Sequence, residues 1–417
     1  MDIVLFFLAF ALLAGLTSYL ALLIAGQIRA TAITARSAEL EHTLLQARLK
    51  QLQQQGQLEQ SKSELSWSGF RKFRILRKIP ESRDICSFYL TPHDGKHLPP
   101  FTPGQYLTFQ LNVNSKPVVR CYSLSDSPNH PDYYRVTIKR VPAPRDVADA
   151  PPGLISNYFH DHLRAGDIVD VKAPAGHFIL DMTAQRPVVL IAGGVGITPM
   201  LSMLNAAIEA GSRRDIWFFY GVRNRGEHIM KDHFEQVARE HPNVHLNICY
   251  SDPTADDKVG ADYQHGERVG VELFKRVLPS SNYQFFICGP PPMMDQLVKD
   301  LKAWGVPEGD IAIEAFGAKT VKRVAPVRDA DAAAMDVTFA KSGKTHPWNG
   351  ETGSLLDFAE KHGVAINFGC RAGNCGTCLT AVKSGEVTYL VQQGATPEAG
   401  SCLVCITVPK TPLVLDA

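Results

Sequence analysis

Four cysteines in the last part of the chain have a spacing that is typical of iron binding. Cys370, Cys375 and Cys378 follow a C-x4-C-x2-C pattern, and Cys405 follows 27 residues further on. This is the pattern of a plant-type [2Fe–2S] site, and thiolates are the soft ligands that such clusters require. The glycines of the loop let its backbone curl and turn amide groups toward the sulfurs. The pattern therefore predicts one-electron transfer through a cluster held by these four cysteines.

A structural zinc site is the alternative interpretation of the same segment. Two C-x2-C pairs, Cys375 with Cys378 and Cys402 with Cys405, are separated by 23 residues, as in a zinc ribbon. That interpretation gives Cys370 no role and needs a slightly longer spacer than ribbons usually have. We favour the iron–sulfur interpretation, in which Cys402 is not a ligand. A zinc-stabilised, non-enzymatic interaction protein remains the remote alternative.

Two motifs further upstream combine residue types that bind a flavin nucleotide. In the motif Arg120-Cys-Tyr122-Ser123, the guanidinium can pair with a pyrophosphate, the phenol ring can lie on an isoalloxazine, and the hydroxyl can hydrogen-bond the flavin edge. Residues 153–157 read Gly-Leu-Ile-Ser-Asn and can open a helix against phosphate. Each motif alone also fits a structural role, as a strand end or a helix N-cap. The two in this order are more specific than either one.

Two later motifs fit a dinucleotide at the carboxyl edge of a parallel sheet. Residues 193–199 read Gly-Gly-Val-Gly-Ile-Thr-Pro between an apolar strand and a helix. The glycines let the backbone approach a diphosphate, and the helix N-terminus supplies partial positive charge. Cys288, Gly289 and Pro290 end a later strand, at the edge where open α/β sheets bind ligands. Cys288 is therefore predicted beside a nicotinamide, with a small buried hydrophobe as the structural alternative.

In this order the four motifs resemble those of the ferredoxin–NADP reductase superfamily, and they are similar to the reductase half of flavohaemoglobins. Residues 335–417 resemble plant-type ferredoxins. The order of flavin barrel, nucleotide domain and ferredoxin is that of phthalate dioxygenase reductase and related oxygenase reductases. The resemblance implies FAD rather than FMN as the flavin, a [2Fe–2S] cluster, and NADH or NADPH as the electron donor, with NADH favoured.

The resemblance also implies a set of site residues. The implied flavin contacts are Arg120, Tyr122, Ser123, Gly153, Ser156 and Asn157. The implied contacts of the nicotinamide dinucleotide are Gly193, Gly194, Gly196, Thr198, Cys288, Gly289 and Pro290. The residues implied around the reacting rings are Ser123, Cys288 and Phe316. The residues themselves leave NADH versus NADPH open, because no carboxylate follows the strand that ends at Tyr220, whereas Arg223 or Arg225 could accept a 2′-phosphate.

The rest of the chain must position these residues, and its patterns predict a multi-domain fold. Short alternating runs broken by turn residues indicate an antiparallel β-barrel flavin domain over residues 67–182. Alternating strands and helices indicate an α/β nucleotide domain with a parallel sheet over residues 183–320. Residues 321–334 are predicted to be a linker. Residues 335–417 are expected, from the resemblance, to form an α+β ferredoxin-type domain of the β-grasp kind.

The first 66 residues are predicted to be a membrane anchor, residues 1–26, and a helical stalk, residues 27–66. Residues 3–25 form a run of 23 without a charge, long enough to cross a hydrocarbon core of about 30 Å. Basic residues follow this run, so the N-terminus is expected outside and the rest of the chain in the cytoplasm. The stalk has helix-forming composition. Its heptad pattern is short, so oligomerisation through it is only weakly supported.

Composition narrows the function classes. A net charge of +1 over 417 residues gives no electrostatic case for nucleic-acid binding. The nine cysteines do not resemble a secreted disulfide framework. We therefore predict a membrane-anchored NAD(P)H-dependent oxidoreductase that passes electrons to a redox protein, such as an oxygenase, a desaturase or a haem protein. A reductase of a diffusible acceptor, such as a quinone or a flavin, is the alternative.

Overall fold

The computed structural model describes residues 2–143, 151–316, 334–350, 353–391, 393 and 397–417. Contacts within the chain divide it into two units, Met1–Glu64 and Leu65–Ala417. The predicted linker, residues 321–334, falls outside the described residues except for its last position.

The N-terminal unit is one helix, α1 (Asp2–Leu65). Its 64 residues extend for about 96 Å at the rise of an α-helix, and they run without interruption through the predicted boundary between anchor and stalk. The structure gives the predicted anchor no support, since no helix among the described side chains is both long and apolar enough to cross a membrane. Within the predicted span, the side chains of residues 3–6, 9 and 11 lie outside the description.

The flavin-type domain is a six-stranded antiparallel sheet with one helix. Its elements are β1 (Arg71–Ser82), β2 (Ile85–Pro92), β3 (Tyr106–Val113), β4 (Lys116–Ser123), β5 (Tyr134–Lys139), α2 (Leu154–Asp161) and β6 (Ile168–Ala175). The strand order is β4-β3-β6-β1-β2-β5. The predicted closed barrel is wrong in one respect: the ladder is open, with β4 and β5 at its edges. A single bridge, between Leu124 and Val136, joins these edges in the described residues.

The hairpin that connects β3 and β4 brings the flavin motif into position. Its turn residues, Asn114 and Ser115, both have positive φ, 53° and 60°. Two-residue hairpin turns of this kind match the twist of antiparallel strands, and asparagine tolerates the left-handed conformation better than most residues. The turn fixes the register in which Tyr106 pairs with Ser123, so the end of the R-x-Y-S motif lies beside the start of β3.

The nucleotide domain is a five-stranded parallel sheet, as predicted. Its elements are β7 (Val188–Gly193), α3 (Ile197–Glu209), β8 (Ile216–Val222), α4 (Lys231–Glu240), β9 (Val244–Tyr250), α5 (Val271–Val277), β10 (Gln284–Cys288), α6 (Pro291–Ala303) and β11 (Ile311–Glu314), in the order β11-β10-β7-β8-β9. Alternate strand residues enter two hydrophobic cores, one with α3 and α4 and one with α5 and α6. Helices therefore cover both faces, and the carboxyl edge stays free for ligands.

The last domain is an α+β unit. Its elements are β12 (Met335–Phe339), β13 (Lys344–Trp348), α7 (Leu355–Lys361), β14 (Leu379–Ser384), β15 (Val387–Tyr389), β16 (Ser401–Leu403), β17 (Thr407–Pro409) and β18 (Leu413–Leu415). The main sheet has the order β13-β12-β18-β14-β16. Ser354 caps α7 by accepting the N–H of Asp357 at 3.2 Å. The cysteine loop lies between α7 and β14.

Candidate active site

The four predicted cluster ligands come together as two pairs. The Cys370 thiol contacts Cys375, and the Cys378 thiol contacts Cys405. A [2Fe–2S] cluster has two irons and four cysteine ligands, so two adjacent pairs of thiols match its chemistry. Among the described side chains, no three His, Cys, Asp or Glu residues converge on one point as they would around a single metal ion.

Backbone amides surround the first of these sulfurs, as the glycine-bearing loop predicts. The amides of Ala372, Asn374 and Cys375 point at Cys370 Sγ, with N–S distances of 3.4, 3.2 and 3.3 Å. In return, the amide of Cys370 lies 3.4 Å from Cys375 Sγ. Such N–H groups stabilise thiolate charge and set the reduction potential of a bound cluster. The donor set therefore fits a [2Fe–2S] group.

Gly373 allows the loop to approach the segment that carries the fourth ligand. Its φ is +75°, and a Cβ there would lie 2.4 Å from Ile406 Cδ1, next to Cys405. Any other residue would be strained by this positive φ and would require the Ile406 side chain or the loop to move. Cys402, by contrast, is completely buried in the core of the domain, where burial raises the pKa of its thiol to about 11. It belongs to neither thiol pair.

The side chains of the R-x-Y-S motif make contacts of different kinds. Tyr122 packs on the rings of Phe109 and Phe159, with centroids 5.8 and 5.4 Å away, and burial raises the pKa of its hydroxyl. Arg120 Nη1 donates to the carbonyl oxygen of Gly369 in the cysteine loop, at 3.1 Å. This contact could not be predicted from the sequence, because the two residues are 249 positions apart. Arg120 thus connects the predicted flavin motif to the cluster loop.

The residues of the G-x-x-S-N motif shape the start of α2. A Cβ on Gly153 would lie 2.7 Å from Val141 Cβ, so the helix begins in close contact with the strand end before it. Ser156 Oγ accepts the amide of Val141 at 3.3 Å. Asn157 Nδ2 donates to the Val141 carbonyl at 2.8 Å. All three predicted residues therefore lie together at the N-terminus of α2, where they hold its first turn in place.

The glycine-rich loop after β7 has two functions. Gly193 and Gly194 line a cavity of about 710 Å³, a size that suits a nucleotide ligand. Gly196 does not line it; a Cβ there would lie 2.1 Å from the Cys288 carbonyl oxygen, so this glycine permits close packing of two strand ends. Thr198 is buried, and its hydroxyl donates to the Val195 carbonyl at 3.2 Å. Gly196 and Thr198, both predicted to contact the dinucleotide, therefore shape the turn.

The Cys288-Gly-Pro segment lies at the same edge of the sheet. Pro290 lines the cavity, and a Cβ on Gly289 would lie 3.1 Å from the Gly193 Cα. Cys288 is completely buried, and burial raises the pKa of its thiol well above the ordinary value. Its sheet neighbours are Ala192 on one side and Glu314 on the other.

A buried carboxyl group joins the two nucleotide motifs. Ser123 Oγ donates to Glu314 Oε2 at 2.9 Å across the domain boundary. Glu314 is 8 % exposed, and burial raises its pKa to about 8 although the Ser123 hydrogen bond acts in the opposite direction. Burial therefore favours the protonated, neutral form of this carboxyl group. Sequence reasoning missed it, although its place at a strand end two residues before Phe316 was a usable signal.

A smaller cleft of about 180 Å³ lies where the three domains meet. Ser123, Glu314 and Phe316 line one side of it, and Cys370 of the cluster loop lines another. Of the three residues predicted around the reacting rings, the structure thus brings Ser123 and Phe316 into one cleft. Cys288 does not line this cleft; it is the sheet neighbour of Glu314, which does.

Comparison with known proteins defines the class. Residues 72–179 match an oxidoreductase FAD-binding domain, residues 190–299 an oxidoreductase NAD-binding domain, and residues 338–410 a 2Fe-2S iron–sulfur cluster binding domain. The chain is therefore an oxidoreductase with FAD-binding, NAD-binding and 2Fe-2S domains.

Individual relatives match different shares of the chain. A flavohemoprotein of Bacillus thuringiensis subsp. konkukian is 41% identical over 261 residues, which are 62% of this chain and 64% of the relative. The FAD/NAD-binding domain of a nitric oxide dioxygenase from Vibrio cholerae O1 biovar El Tor is 32% identical, with a TM-score of 0.52, over 60% of this chain and 99% of that one. Phthalate dioxygenase reductase, a structure for electron transfer from pyridine nucleotides to [2Fe–2S], is 27% identical over 84% of this chain and 98% of its own, with a TM-score of 0.51. This chain thus spans less than two thirds of the flavohemoprotein's length and nearly all of the reductase's.

Proposed function

We propose that the protein is an NADH-dependent reductase that passes electrons through FAD to a [2Fe–2S] cluster and on to a redox protein. The observation that carries this proposal is the cleft in which the flavin motif, the carboxyl edge of the nucleotide sheet and Cys370 meet. A flavin held by the motif residues beside this cleft would supply the chemistry that converts a hydride from NADH into single electrons for the cluster. The chain's own residues bind, orient and insulate these groups.

Glu314 and Ser123 are proposed to control which groups at the reacting centre carry a proton. The hydrogen bond with Ser123 holds the Glu314 side chain in place. From that position the neutral carboxyl can donate a hydrogen bond or a proton. A carboxylate at the same buried site would oppose the arrival of negative charge. Keeping Glu314 protonated at pH 7 therefore favours reduction in the cleft.

The choice of NADH over NADPH is proposed to depend on Glu227. This side chain lines the coenzyme cavity beyond the end of β8 and accepts a hydrogen bond from Arg223 Nε at 2.8 Å. Burial raises the pKa of Glu227, but the bond from Arg223 and the charge of Lys139 outweigh it, so the pKa is lowered and the carboxylate is ionised at neutral pH. The carboxylate engages the arginine that a 2′-phosphate would need. It also repels that phosphate directly.

The acceptor is proposed to be an oxygenase, a desaturase or a haem protein. By name, one of the similar proteins serves a dioxygenase, and others are flavohemoproteins. The cluster loop is the end of the proposed electron route, so the acceptor is expected to bind near it. The cytoplasmic, membrane-anchored location stays a proposal from the uncharged run of residues 3–25, and separation of membranes from cytosol would test it.

Anaerobic reduction of the purified protein tests the central proposal. We expect a yellow-brown protein whose flavin absorption bleaches on addition of NADH, followed by the electron paramagnetic resonance signal of a reduced [2Fe–2S] cluster. Candidate acceptors can then be added, and the reoxidation of the cluster is followed. A colourless protein that contains zinc and no iron would overturn the proposal, and rapid reduction of quinones alone would favour a diffusible acceptor.

A further inference from the structure

One face of the flavin-domain sheet is buried although it points away from that domain's own core. In β3, Leu107 and Phe109 pack into the hydrophobic core. Strand alternation therefore turns Tyr106 and Thr108 to the opposite face. Both of these polar side chains are nevertheless only 3 % exposed. Something outside the flavin-domain core must cover them, and the contacts of Tyr106 identify it as the cysteine loop.

Three side chains of this sheet donate hydrogen bonds to main-chain carbonyl groups of the cysteine loop. These bonds run from Tyr106 Oη to Asn374 O (2.6 Å), from Arg120 Nη1 to Gly369 O (3.1 Å) and from Lys172 Nζ to Cys375 O (3.2 Å). The donors come from three neighbouring strands, because β3 pairs with both β4 and β6. The accepting carbonyls span the segment that carries the first two cluster ligands. The sheet thus holds the loop at both ends of that segment.

Two shorter-range contacts bring the sheet against the ligands themselves. The Cys121 thiol, in β4, contacts the Cys370 thiol. A Cβ on Gly369 would lie 2.8 Å from Val119 Cβ, so the loop approaches β4 as closely as glycine permits. Cys121 and Lys172 are both register partners of Thr108, from opposite sides. The thiol and the cation therefore stand in one row across the sheet, beneath the cysteine loop.

The electrostatics of this contact favour a reduced cluster. Four thiolates and the electron that a cluster accepts are all negative, and hydrogen bonds to the sulfurs and local charge set its potential. Arg120 and Lys172 bring two positive charges against the loop. Arg120 is exposed, so water screens its charge, whereas Lys172 is half-buried beside the buried Tyr106 and Cys375, and its attraction for the loop is screened less.

We propose that Tyr106, Arg120, Cys121 and Lys172 form a docking site that holds the cluster loop on the flavin-domain sheet and raises the reduction potential of the cluster. The redox half of this inference rests on the proposed function, whereas the docking half does not. Toward the cluster these are positioning residues, since they contact the loop that carries the ligands. They keep the cluster ligands beside the cleft that Ser123 and Glu314 line.

Hydrogen exchange tests the docking half in the full-length protein with its bound groups. In the double variant Tyr106→Phe, Lys172→Met, two hydrogen bonds to the loop are lost, so we expect backbone exchange over residues 369–376 to rise about tenfold or more. Lys72→Met is the matched control, because Lys72 lies on the neighbouring strand β1 and pairs with Asp170. It should leave the exchange unchanged. Unchanged exchange in the double variant overturns the docking site.

The potential of the cluster tests the redox half. In Lys172→Met alone, the midpoint potential measured by paramagnetic resonance should fall, and transfer of electrons from reduced flavin to the cluster should slow. Flavin reduction by NADH, which precedes that transfer, should keep its rate. An unchanged potential together with increased exchange overturns the redox half only. If NADH fails to reduce the flavin of the unaltered protein, the proposed function fails, and the exchange result still decides the docking site.

Discussion

The coenzyme cavity and the cleft beneath the cluster loop are built in opposite ways. The cavity, about 710 Å³, lies largely within the nucleotide domain, and its polar rim includes the ion pair of Arg223 and Glu227. The cleft, about 180 Å³, draws residues from three domains, among them the buried Ser123 and Glu314. A roomy, charged cavity suits a ligand that enters and leaves. A narrow, multi-domain cleft suits groups that stay, and it exists only when all three domains are assembled.

Loss of a cluster ligand should separate the two regions most sharply. Cys405→Ser removes one thiol from the second ligand pair, so we expect complete loss of the iron–sulfur absorption and resonance signals. Flavin reduction by NADH should persist, because the coenzyme cavity is untouched. Cys402→Ala is the control and should retain iron, since Cys402 lies in the core outside both pairs. Loss of iron in the control alone would contradict the ligand assignment.

The protonation of Glu314 should make the stability of the cleft depend on pH. Its folded pKa, about 8, lies above the ordinary value of 4.5, so the folded state binds the extra proton between these values. The stabilising contribution is full below about pH 4.5 and is lost as the pH rises through about 8, on the order of a few kcal/mol in total. Chemical denaturation of the flavin-free protein at several pH values would measure it. Glu314→Gln should flatten this profile, and an unaltered profile would argue against a buried neutral carboxyl.

The rim of the coenzyme cavity should respond to a change of charge. Glu227→Gln frees Arg223 and removes the repulsion of a 2′-phosphate, so the ratio of kcat/KM for NADPH to that for NADH should rise about tenfold. Steady-state rates with a dye acceptor would show this. Glu272→Gln, which removes an exposed carboxylate that pairs with Lys275, serves as the comparison and should leave the ratio as it was. A ratio that falls in the Glu227 variant would exclude the carboxylate as the determinant.

A single hydroxyl under the cluster loop should have the smallest effect. Thr108→Val keeps the shape of the side chain but removes its bond to the Cys121 sulfur, 3.4 Å away. We expect the free energy of unfolding to fall by about 1 kcal/mol. Thr338→Val, at an exposed pair with Thr345, should change it by less than about 0.5 kcal/mol. Equal losses of unfolding free energy in the two variants would mean that a hydroxyl on the buried face stabilises the protein no more than one on an exposed face.

Local patterns in the sequence predicted the structural features that form within a single domain. Strand–loop–helix alternation identified the parallel sheet, and the cysteine spacing identified four thiols that the fold brings into two pairs. Both features depend on residues that lie close together in the chain or repeat with the period of a helix or a strand. The alternation also predicted the antiparallel strands of the flavin domain. It could not tell an open ladder from a closed one, because closure depends on how the edge strands β4 and β5 meet.

Contacts between domains were beyond the sequence. Arg120 reads as a phosphate ligand from its motif, yet its guanidinium also reaches Gly369. Glu314 looks like an ordinary strand end until Ser123 of another domain is placed against it. No periodicity records a pairing between residues so far apart in the chain. The predicted anchor, residues 1–26, gains no support from the structure, since no helix among the described side chains is both long and apolar enough to cross a membrane.

The position of β18 has a consequence for biosynthesis. This strand lies in the middle of its sheet, parallel to β12, with Val337 beside Leu413, although it follows every other described strand of the domain in the chain. During synthesis, the cysteine ligands are therefore made before the sheet around them can be completed. The sheet cannot form until this strand has left the ribosome. Pairing β18 with β12 also requires closing a long loop of chain, and that entropic cost comes before the contacts that stabilise the pair. The frame around the cluster ligands is thus complete only once β18 has joined it, and a chain truncated before β18 would lose the cluster before it lost the flavin.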